Sequence, residues 1–197
     1  MQIVSLLVSL IRLVIGAYPR WQGCEPSTKQ RIYFANHTSH MDALVIWAAF
    51  PKPMRRSVRI VAAKDYWNKS ALRRHIATQE LNAVLIERGI KTKEPLAPIE
   101  AILRAGESLV IFPEGTRSNQ RLPGTFKSGL HRLAEQFRHV ELIPVYLENL
   151  NRSLPKGRFL PVPVTATVRF GTPLERIEGE TKEAFLTRAR LAVEALA

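Results

Sequence analysis

An α/β domain, with a mostly parallel or mixed central sheet flanked by helices and an N-terminal membrane-associated helix, is the fold class predicted by this 197-residue sequence. Three observations predict it. Short apolar runs alternate with longer stretches of helical period along most of the chain, the pattern of a sheet covered by helices. Three of those runs open into polar residues at their carboxyl ends, the edge at which open α/β sheets hold their ligands. Finally, residues 1–21, MQIVSLLVSLIRLVIGAYPRW, form an apolar leader.

Ser5, Ser9, Arg12 and Gly16 of the leader fall four, three and four residues apart, which gives a helix one small or polar face among apolar ones. The leader lacks a basic start and an A-x-A cleavage site, so it does not read as a signal peptide. Arg12 interrupts a run already shorter than the roughly 20 apolar residues a spanning helix needs. The expectation is a helix over 1–21 that lies in or dips into one leaflet, with Arg20 and Trp21 near the headgroups, followed by a single domain over 22–197. Within that domain strand-like runs are expected at 31–35, 58–62, 83–87, 108–112, 140–147 and 163–170. Helical stretches are expected at 40–50, 65–75, 95–105, 125–138 and 181–196. Residues 149–163, with Pro155, Gly157, Pro161 and Pro163, read as a surface connection.

Charge narrows the partners. Lys and Arg outnumber Asp and Glu by 29 to 17, a net charge of +12, so the surface carries a positive field that attracts nucleic acid or anionic headgroups. Many of the cations crowd residues 52–74, close in sequence to the apolar leader, and that pairing favours a membrane surface. The single cysteine, Cys24, excludes an internal disulfide and any CxxC site, and the sequence contains no P-loop, GxGxxG or HExxH.

The chemistry-bearing residues gather after the strand-like runs. The first run leads into NHTSHMD, residues 36–42, with Asn36, His37 and Asp42; the third ends in Glu87 and Arg88; the fourth leads into FPEGTRS, residues 112–118. A carboxylate early in the helix after His37 can bind one imidazole nitrogen and leave the other free as a base. Thr38 and Ser39 read as helix-start hydroxyls, and His40 as a surface or capping residue. The chain has no GxSxG elbow, so a base without a protein nucleophile points to activation of a substrate hydroxyl. Glu114, Gly115, Thr116 and Arg117 bring together a carboxylate, a flexible glycine, a hydroxyl and a guanidinium fork suited to phosphate, with Arg88 as a second prong.

NHTSHMD and FPEGTRS, in this order and about 75 residues apart, resemble the membrane glycerolipid acyltransferases, in particular the 1-acylglycerol-3-phosphate (lysophosphatidate) acyltransferases. NAVLIER, residues 82–88, and VELIPV, residues 140–145, resemble two weaker blocks of that family, with Asn82 and Leu85 where glycine and phenylalanine are usual. The resemblance implies an O-acyltransferase that moves an acyl group from acyl-CoA or acyl-carrier protein to the free hydroxyl of a lysophospholipid, lysophosphatidate to phosphatidate, in phospholipid biosynthesis. It implies His37 as general base, Asp42 as its partner, and no acyl-enzyme. Asn36 and the backbone around Gly115 would hold the oxyanion; Arg88, Arg117 and Lys127 would bind the acceptor phosphate, with Glu114 and Thr116 beside them. It implies no metal or organic cofactor, no nucleic-acid partner, and association with an anionic membrane at the cytoplasmic face of a bacterial inner membrane. Two rivals stay open: an acyltransferase for another lyso-lipid such as a lyso-ornithine lipid, and a non-enzymatic basic protein that binds membrane or nucleic acid.

Overall fold

The computed structural model describes residues 12, 16–39, 41–87, 96–149 and 165–197. Most of the expected leader helix, His40, Arg88 and the 149–163 connection (apart from Asn149) lie outside these residues.

The described residues form one seven-stranded mixed sheet: β1 (Tyr18–Trp21), β2 (Arg31–Ala35), β3 (Val58–Ala63), β4 (Ala83–Ile86), β5 (Ser108–Ile111), β6 (Glu141–Glu148) and β7 (Thr167–Phe170), in the spatial order 1-7-6-2-5-3-4. Strands β2 to β6 run parallel; β7 is antiparallel to β6, and β1 runs parallel to β7. All five parallel strands therefore end on one edge. The helices are α1 (Asp42–Ala49), α2 (Lys64–Trp67), α3 (Ala71–His75), α4 (Ala97–Arg104), α5 (Gly129–Gln136) and α6 (Lys182–Glu194).

β2 and β5 are buried on both faces, which is why RIYFA and SLVI read as continuous rather than alternating strands. Tyr33 and Ala35 pack on the α1 side of the sheet, Ile32 and Phe34 on the α4, α5 and α6 side. Arg31 fixes the register of β2 against β6, since it stands opposite Glu141 and its Nε donates to that carboxylate at 2.7 Å. α1 is buried at every position but Leu44, so it lies as an apolar rod under the sheet. At its carboxyl end, Nη2 of Arg12 and of Arg55 both donate to the Ala48 carbonyl, at 3.0 and 3.1 Å, where cations complement the helix dipole. Burial, with Arg12 beside it, lowers the pKa of Arg55.

Two expectations are corrected. The leader does not stay helical to residue 21: Gly16 and Ala17 take positive φ, Pro19 cannot donate to a helix, and Tyr18–Trp21 becomes an edge strand whose Trp21 stacks on Phe170 at 3.9 Å. The helix expected over 65–75 is broken. Asn68 and Ser70 are residue types that disfavour a helix interior; α2 closes at Asn68, whose N–H donates to the Lys64 carbonyl, and α3 begins afresh. Among the described residues no helix is long and apolar enough to cross a membrane.

Candidate active site

The site is assembled at the carboxyl ends of β2 and β5, whose two polar loops are tied together through the backbone. The His37 N–H donates to Oε1 of Glu114 at 2.8 Å, and the Ser118 N–H donates to the His37 carbonyl at 2.8 Å. The second Glu114 oxygen accepts the Gly124 N–H at 3.0 Å. Glu114 is thus a buried carboxylate occupied with main-chain donors, and it sets where His37 sits.

Asp42 opens α1 and is fully buried. Its Oδ2 accepts the Thr38 N–H at 2.7 Å and the Ser39 N–H at 2.9 Å, and it lies 2.7 Å from His37 Nδ1. With a carboxylate on that nitrogen, Nδ1 carries the proton and donates to Asp42, leaving Nε2 free to accept one. The imidazole also stacks on Phe112, with ring centroids 4.4 Å apart and planes 23° apart. Held at one nitrogen and along one face, the ring keeps a side-chain exposure of 22 % toward the cavities.

His37 and Phe112 line two cavities of opposite character. The smaller, about 270 Å³, is polar; Arg117 and Lys69 enter it, together with Asp65 and Tyr66. Arg117 and Lys69 are both exposed. The larger, about 770 Å³, has an apolar lining that includes Ile86, Leu96, Ile99, Ile111, Leu130 and Leu133, and Lys127 reaches it. Gly115, at φ +67°, lets Lys127 cross close over the backbone: a Cβ there would meet the lysine Nζ at 2.6 Å.

The structure separates residues that the sequence grouped. Asn36 does not face a cavity: it is 1 % exposed, its Oδ1 accepts the Leu147 N–H at 2.7 Å and its Nδ2 donates to the Leu147 carbonyl at 3.1 Å, so it bridges β2 to β6. The Gly115 N–H is spent on the Phe112 carbonyl at 3.0 Å and is no free oxyanion donor. Lys127 and Arg117 line different cavities. Thr116 is exposed and lines neither. Arg88 lies outside the described residues, although Glu87 before it lines the larger cavity. Lys69 is read from the sequence only as one cation of the 52–74 cluster, whereas the structure places it in the lining of the smaller cavity. The available signal was the NKS interruption just past the end of β3, on the shared edge. Among the described residues no three His, Cys, Asp or Glu side chains stand close enough to hold a metal.

A mixed α/β sheet carrying an Asp-held histidine at its carboxyl edge, with apolar and cationic cavities meeting beside it, suits acyl transfer between amphiphilic partners. The family model for Acyltransferase matches residues 21–148, and the chain belongs to that family. It is 30 % identical over 171 residues to a 1-acyl-sn-glycerol-3-phosphate acyltransferase of Limnanthes douglasii, covering 84 % of this chain and 57 % of that protein. A second such protein, of Limnanthes alba, is 31 % identical over 159 residues, covering 78 % and 53 %. The chain spans just over half the length of these curated relatives. The fold matches that of the 1-acyl-sn-glycerophosphate (LPA) acyltransferase PlsC of Thermotoga maritima, with a TM-score of 0.73 at 20 % identity over 98 % of this chain and 77 % of that one.

Proposed function

We propose that the protein acylates lysophosphatidate to phosphatidate at an anionic membrane surface, with an acyl-CoA or acyl-carrier protein as donor and no acyl-enzyme. The observation that carries this reading is His37, held by Asp42 at the junction of a cationic and an apolar cavity. The acceptor phosphate sits on Arg117 and Lys69 in the smaller cavity, which brings the free hydroxyl of the glycerol to His37 Nε2. The thioester carbonyl approaches from the larger cavity, where the acyl chain finds apolar walls. His37 takes the hydroxyl proton as the alkoxide oxygen bonds to the carbonyl carbon, and the imidazolium that forms is stabilised by Asp42. Lys127 offers its ammonium to the oxyanion. The tetrahedral intermediate then breaks its carbon–sulfur bond, and the departing thiolate takes the proton back from His37. The apolar residues before Gly16 add membrane affinity to the surface charge.

The test is transfer from one thioester to lysophosphatidate and to a lyso-ornithine lipid, which carries no phosphate. Wild type should prefer lysophosphatidate. Arg117→Lys keeps the charge but loses the fork, and should raise the acceptor KM about tenfold, since a charge-assisted contact contributes about 1.5–3 kcal/mol and this one is partly in solvent. A wild-type preference for the phosphate-free lipid overturns the choice of acceptor. An absence of transfer to either lipid overturns the activity.

A further inference from the structure

α6 lies beyond the residues that the family model matches, and its first residue lines the larger cavity. Lys182, its first residue, lines that cavity beside His131 and Arg132 of α5. The corner where the two helices meet is firmly built. Arg188 grips Glu180 with two bonds, at 2.8 and 2.7 Å, just before the helix begins. Phe185 meets the His131 ring edge-on at 5.4 Å, and the Thr181 hydroxyl accepts the Ala184 N–H at 3.2 Å.

The cations at this corner are only lightly committed. Lys182 touches Glu183 at 2.9 Å, a pair of side chains 50 % and 74 % exposed, which solvent screens and which contributes little. Arg132 gives one nitrogen to the Glu100 carboxylate at 3.1 Å and is itself 53 % exposed, leaving the rest of its guanidinium to another acceptor. A cavity whose lining holds apolar walls, a base and cations suits a molecule with an acyl chain, a reactive carbonyl and an anionic handle. Of the two substrates in the proposed reaction, the acceptor already has its phosphate on Arg117 and Lys69, so this handle belongs to the donor.

We infer that Lys182 and Arg132, beside His131, bind a phosphate of a phosphopantetheine-borne thioester, so that the start of α6 is a donor-recognition element. The inference rests on the proposed acyl transfer. Both donor classes carry the required chemistry: the carrier protein has the phosphate of its pantetheine arm, and coenzyme A has that phosphate and its nucleotide phosphates as well.

The experiment compares three donors with the same acyl chain: acyl-CoA, acyl-carrier protein and the phosphate-free N-acetylcysteamine thioester. Wild type should favour a phosphate-bearing donor, and Lys182→Ala should cut that preference in kcat/KM about tenfold, Lys182→Glu more. A fall confined to acyl-CoA assigns the corner to nucleotide phosphates, and a fall with both carriers assigns it to the phosphate of the arm; either supports the inference. Equal losses with all three donors, or no loss with any, overturns it. If wild type transfers from no thioester, the acyl-transfer reading fails. The corner is then judged by calorimetry with coenzyme A alone, where binding that Lys182→Glu leaves unchanged overturns the inference too.

Discussion

Asp42 and Glu100 are both carboxylates buried in the first turn of a helix, α1 and α4 respectively, and their surroundings give them opposite capacities. Glu100 is surrounded by permanent cations: Arg132 donates to one oxygen at 3.1 Å, and Arg104 and Gln136 donate to the other at 2.9 and 3.2 Å. Its charge is already neutralised, so it ties α4 to α5 and has nothing left for chemistry. Asp42 receives two backbone N–H groups and one imidazole. Those donors hold its geometry without cancelling its charge, and among the described residues the charge meets a full counter-charge only when His37 takes a proton. A buried carboxylate without a fixed cation is costly to keep, and it can stabilise a positive charge that appears during a reaction.

The largest expected effect breaks the Asp42 side of this contrast. Asp42→Asn retains an oxygen for the Thr38 and Ser39 N–H groups but no longer stabilises the imidazolium, so kcat should fall about 10²- to 10⁴-fold. Combined with His37→Ala, it should cost little more than His37→Ala alone, because the two residues act as a unit. Transfer by Asp42→Asn within about tenfold of wild type would make Asp42 a structural tie like Glu100.

Glu114 stands between the two cases, a buried carboxylate on two main-chain N–H groups with no side-chain cation among the described residues. Glu114→Gln leaves one of those donors facing an amide NH2. The variant should lose about 1–3 kcal/mol of stability by urea unfolding, with a smaller loss of kcat than Asp42→Asn because the displacement of His37 is indirect. A kcat loss as large as that of Asp42→Asn, with unchanged stability, would move Glu114 into the reacting centre.

The sequence made local relationships legible and left distant ones hidden. β2 and its turn could be read because an apolar run buried on both faces and a His–Asp spacing are written in adjacent residues. The helix at 97–104 was visible in its strong periodicity, and Gly106, at φ +79°, ends it. Asn36 was misread because its partner, Leu147, is 111 residues away on β6. Lys127 and Arg117 are ten residues apart, but the Lys127 side chain crosses close over Gly115 and the two line different cavities, a divergence no spacing reveals. β1 was hidden because four residues of edge strand are too short to show a period of two beside an apolar leader.

The smallest effect tests the inert side of the comparison. Burial alone would raise the pKa of Glu100, but its bonds to Gln136 and Arg104 and the charge of Arg132 outweigh it, so the folded carboxyl titrates below its ordinary 4.5. A carboxyl with a lowered folded pKa contributes its full stabilisation above the unfolded value and loses it as pH falls through the folded one. Urea midpoints of wild type should therefore exceed those of Glu100→Gln by a constant margin from neutral pH down to about 4.5, and the margin should close at lower pH. kcat at saturating donor should be the same for both proteins. A margin that persists unchanged into acid would mean that the advantage of Glu100 over Gln does not depend on its charge, and that the guanidinia around Glu100 contribute through hydrogen bonding alone.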